Sequence, residues 1–160
     1  MKGIIISGLV GLVVGAAGAG LVMVKAMPGM MIVTRPSRLG FEETVRAVQK
    51  GIEAQGWSSP ATLNMNKSMA KHGVTLEPQV RVIQLCQPEY AKDVLTTDRY
   101  VASLMPCSIA VYESDDGRVC VSKMNTGLMG TLFGGNIAEV MGGKVAKDEQ
   151  AILTNVVAEE

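Results

Sequence analysis

The chain has 160 residues, 15 basic and 15 acidic side chains and zero formal net charge. That balance leaves no basic stripe of the kind a nucleic-acid footprint needs, so nucleic acid is not an expected partner. A single histidine, His72, disfavours a His-rich metal centre and a Ser-His-Asp arrangement, and three cysteines without a CxxC make neither a disulfide framework nor a zinc or c-type haem motif. No resident metal or cofactor is expected.

Residues 3–24 form a run of 22 residues without a charge, bounded by Lys2 and Lys25. As a helix this run spans about 33 Å, enough to cross a hydrocarbon core of about 30 Å. It is longer than the apolar core of a cleaved signal peptide, so residues 1–26 are expected to be an uncleaved transmembrane anchor. Gly8, Gly11, Gly15 and Ala19 form a strip of small residues on one face, with a GxxxG at Gly11 and Gly15. Lipid gives helices no hydrophobic reason to associate, so close backbone approach along such a strip favours packing on another span. A short basic N-terminal tail ahead of the span is the layout of a signal anchor. The soluble part is therefore expected on the exported, periplasmic side of the cell membrane.

Residues 27–29 are a linker containing Pro28-Gly29, and residues 30–125 read as the core of one α+β domain. Met30 to Thr34 is a first strand. Phe41 to Gln55 is an amphipathic helix with Phe41, Val45, Val48 and Ile52 on one side and Gly56 as its stop. Ala61 to Met65 is a second strand, followed by a helical turn over Lys67 to His72. Val80 to Cys86 is a third strand, and Pro88 opens a helix over Glu89 to Leu95. Ser103 to Met105 and Cys107 to Tyr112 form a fourth strand around Pro106. Asp115-Asp116-Gly117 marks a hairpin into a fifth strand, Arg118 to Met124. Residues 126–160 hold a glycine-rich stretch to Gly135 and a last helix from about Ile137. The sum is a two-layer sandwich: an antiparallel sheet of about five strands with helices on one face, behind one N-terminal transmembrane helix.

Three motifs carry a resemblance: Phe41-Glu42-Glu43-Thr44-Val45, Cys86-Gln87-Pro88-Glu89-Tyr90-Ala91, and Leu104-Met105-Pro106-Cys107 running on to Val111-Tyr112-Glu113. Together they resemble the bacterial and archaeal family known as domain of unknown function 302, over about residues 30–125. The resemblance implies a TATA-binding-protein-like α+β fold, often paired as a homodimer, and brings no established activity. The family's two recurring cysteines match Cys86 and Cys107. Cys120 falls outside the motifs, and the glycine-rich stretch is a departure from the plainer helical end the resemblance implies.

Four groups of residues invite a chemical reading. Cys86 and Cys107, each beside a proline, are the candidate thiol or ligand pair, since a helix N-terminus nearby favours thiolate. Buried cysteine also packs as a small hydrophobe. A turn centred on Asp115-Asp116 sets Val111 opposite Cys120, which holds Cys107 too far from Cys120 to bridge. Met65, Met69 and His72 hold soft donors, but a lone histidine beside methionines is ordinarily a surface residue, so copper is not expected there. Leu128, Met129, Leu132 and Phe133 form a candidate docking patch in a stretch that lacks a P-loop or GxGxxG ending.

No catalytic set is recognisable. The expected function is a non-catalytic, single-pass, membrane-anchored accessory or scaffold subunit, with the bilayer and other membrane subunits or its own copies as partners. The alternative is an anchored thiol-based redox or metal- or ligand-binding module using Cys86 and Cys107.

Overall fold

Helical spacing of Phe41, Val45, Val48 and Ile52 becomes one buried stripe in the computed structural model of the chain, which describes residue 27 and residues 29–158. The helix α1 runs Phe41–Ala54. It ends where Gly56 takes φ +72, and the Trp57 amide closes the turn onto Ile52 O at 3.0 Å. The expected span over residues 3–24, with Gly8, Gly11, Gly15 and Ala19, lies outside the described residues. Among the described residues no helix is long and apolar enough to cross a membrane.

Ile32–Glu160 cluster as one unit. Its strands are β1 (Ile32–Pro36), β2 (Thr62–Asn64), β3 (Val80–Leu85), β4 (Cys107–Glu113) and β5 (Val119–Met124). They form one antiparallel sheet in the order β1-β5-β4-β3-β2, as expected of an α+β fold. Between them lie α2 (Met65–Ala70) and α3 (Pro88–Thr97). Gln87 caps α3, its side-chain oxygen accepting from the Glu89 and Tyr90 amides.

Three segments differ from expectation. Ser103 and Leu104 are not strand: Arg99–Leu104 form a 3₁₀ segment held inward by buried Val101. The hairpin register is one residue over, pairing Tyr112 rather than Val111 with Cys120. Asp115, Asp116 and Gly117 make a three-residue loop in which Gly117 takes φ +79, closed by Ser114 and Arg118. The glycine-rich stretch is helix α4, Thr126–Phe133, capped by Asn125 and ended by Gly134 at φ +69. A helical turn α5 (Gly135–Ile137), a π-helical segment (Ala138–Val145) and α6 (Ala146–Leu153) follow without a break in chain.

Alternation along the strands sorts the sheet into two faces. Ile83, Leu85, Ile109, Val111 and Val121 are buried together with Val48 and Ile52 of α1, Val140 and Val145 of the π segment, and Ile152 and Val156. Each such aliphatic contributes about 1.5–3 kcal/mol by leaving water. The opposite face carries the alternate residues. Thr34, Ser122, Ala110, Val82 and Leu63 form one cross-strand row, and Pro36, Cys120, Tyr112 and Val80 form the next. Neither row contains an Asp, Glu, Lys, Arg or His.

Candidate functional site

Cys86 follows the last residue of β3 and bonds through its backbone to Ser58, N–H to O at 2.9 Å in both directions. Cys107 opens β4, directly opposite Leu85. The two cysteines therefore meet at one end of the sheet. Both line a small, half-open cavity of about 30 Å³, whose wall also includes Trp57, Tyr90, Met105 and Met141. The Trp57 ring meets Tyr90 edge-on at 5.8 Å, and its Nε1–H donates to Asp148 at 3.0 Å.

A helix N-terminus was expected to favour thiolate here. For Cys107 the opposite holds. Burial pushes its thiol up to about 12, the nearby Glu149 carboxylate and Cys86 add to the shift, and Lys123 offsets part of it. All three cysteines are free. Cys120 lies opposite Tyr112, five positions along β4 from Cys107, or about 17 Å at strand rise. The expected absence of a bridge between them stands on a slightly larger separation.

The docking patch divides. Met129 is buried and lines a second cavity, of about 20 Å³, with Met105, Met124 and Met141. Leu128 is half-buried. Leu132 and Phe133 are exposed at 55% and 39%, and the Phe133 ring lies 6.2 Å from that of Tyr100, itself exposed. Tyr100 thus belongs to the patch although no sequence periodicity marks it. Met65 and Met69 sit on α2, with exposed His72 just beyond its end.

Sequence reasoning also missed a buried ion pair. Glu149, only 1% exposed, accepts from Lys123 Nζ at 2.7 Å and from Thr126 Oγ1 at 2.8 Å. The pair pins α6 to β5 behind Cys107. Elsewhere a polar cleft of about 860 Å³ is lined by Lys67, Glu77, Gln79, Arg81, Glu113 and Asp115.

Residues 33–159 match a family model described as Domain of unknown function DUF302. That span takes in the glycine-rich stretch, so the departure noted in the sequence falls inside the family's own extent. A solved structure described as an uncharacterized conserved protein DUF302 from Bacillus stearothermophilus is similar at TM-score 0.69 and 16% identity. The likeness covers 79% of this chain and 98% of that one, and at this identity it shows the fold alone. No curated protein matches the chain.

Proposed function

We propose that this chain, which belongs to the DUF302 family, is a non-catalytic membrane-anchored accessory module that assembles with other membrane proteins or with its own copies. In this reading residues 3–24 are the anchor, the Gly8-Gly11-Gly15-Ala19 strip packs against a second span, and the folded domain lies on the exported side. The observation that carries the proposal is the uncharged sheet face. Ala110 sits at its centre between Ser122 and Val82, with Thr34 and Leu63 at the edges. A contiguous neutral face of this kind marks a contact surface, because docking a partner there desolvates no unpaired charge. The exposed Tyr100, Leu132 and Phe133 give a second apolar contact.

In the thiol alternative, redox or metal and ligand binding through Cys86 and Cys107, Cys107 is not the attacking sulfur. Disulfide exchange needs an attacking thiolate, and a thiol held near 12 supplies very little of it. The test of the main reading is purification of the intact chain in mild detergent, with mass spectrometry of what accompanies it. Stoichiometric membrane subunits, or a homo-oligomer, released by Gly11→Ile or Gly15→Ile support the proposal. A chain that elutes as a monomer without partners overturns it.

A further inference from the structure

We propose that Cys86, Met105, Cys107 and Met141 form a binding site for one soft monovalent cation, Cu(I). The inference deepens the thiol alternative by naming its ligand, and it does not depend on the assembly reading.

Four sulfur-bearing side chains from separate places in the fold line one cavity. Cys86 comes from the end of β3, Cys107 from the start of β4, Met105 from the turn before it, and Met141 from the π-helical segment. The cavity, of about 30 Å³, is of the size that holds one water-sized guest. Its wall contains no carboxylate and no imidazole. Gln87 and Tyr90 line it too, but the Gln87 side-chain oxygen is already used in capping α3 and the Tyr90 hydroxyl is engaged by Asp148. What the site offers is therefore thiol and thioether sulfur, which selects Cu(I) over Mg²⁺, Ca²⁺ or Mn²⁺.

Two further observations set this apart from ordinary sulfur packing. Met105 and Met141 also line the adjoining cavity, together with Met124 and Met129. Four of the eleven methionines and two of the three cysteines thus converge on two neighbouring voids. Met141 is delivered by eight residues of π-helix, a geometry that is rare and recurs at functional sites. On binding, each cysteine that ligates as thiolate releases its proton to solvent, and the metal does not change oxidation state.

The test uses the full chain in detergent, titrated anaerobically with Cu(I) against a chromogenic Cu(I) chelator, with X-ray absorption of the loaded protein. The expected result is one Cu(I) per chain in a sulfur-only shell. Cys86→Ser or Cys107→Ser weakens binding by at least about 100-fold, and Met105→Leu or Met141→Leu by about 10-fold. The Met→Leu changes conserve volume and leave the fold intact, so they remain informative if a cysteine variant fails to fold. Met69→Leu and His72→Ala leave the affinity unchanged. Failure to compete with the chelator, nitrogen or oxygen in the first shell, or affinity that follows Met69 and His72 would each overturn the assignment.

Discussion

Gly130 of α4 and Gly142 of the π segment pack backbone to backbone: a Cβ built on Gly130 falls 2.7 Å from the Gly142 Cα and 2.8 Å from its nitrogen. That contact gives the glycine-rich stretch a structural purpose. It lets α4 lie directly on the π-helical segment that carries Met141.

Gly130→Ala is accordingly expected to lose about 1–3 kcal/mol, the cost of overpacking where the neighbours are rigid backbone. Gly127→Ala meets only the Asn125 side chain, at 3.6 Å, and is expected to be tolerated. Chemical denaturation of the two variants checks the contrast.

Cys107 is expected to resist alkylation in the folded chain. With its thiol near 12, the thiolate fraction at pH 8 is about one in ten thousand. Raising pH through the ordinary thiol range therefore leaves its labelling slow, whereas denaturation restores the normal rate. Peptide mapping after timed iodoacetamide exposure reads the difference.

Lys123→Met strands the buried Glu149 carboxylate, since Lys123 and Glu149 are 16% and 1% exposed. The expected loss is about 3–5 kcal/mol. The double change Lys123→Met with Glu149→Leu removes both charges and is expected to recover much of that loss. Melting temperatures of the single and double variants test it.

Legibility in the sequence followed the range of the interactions. The stripe of α1 is local, so its spacing alone predicts the helix down to the Gly56 stop. The five strands are legible for the same reason, whereas the meeting of Cys86 and Cys107 depends on β3 pairing with β4. The hairpin register slipped by one because Asp115-Asp116 resembles a two-residue turn, while Gly117 is in fact the third loop residue. Helix α4 is not legible, since Thr126–Phe133 has no polar face and two glycines, and the need for Gly130 arises only from Gly142 across the contact. Likewise Glu149, Tyr100 and the Met105–Met141 pairing are defined by partners distant in the chain.

The central claim is that the uncharged sheet face docks a partner, and Ala110→Glu tests it most directly. The variant places a carboxylate at the centre of that face, beside Ser122 and Val82. The intact chain and the variant would be purified side by side in mild detergent, with circular dichroism confirming that both are folded. The account predicts that the parent elutes with stoichiometric membrane subunits or as an oligomer, and that the folded variant has lost them. A folded variant that keeps the same partners, or a parent that elutes alone, would contradict it.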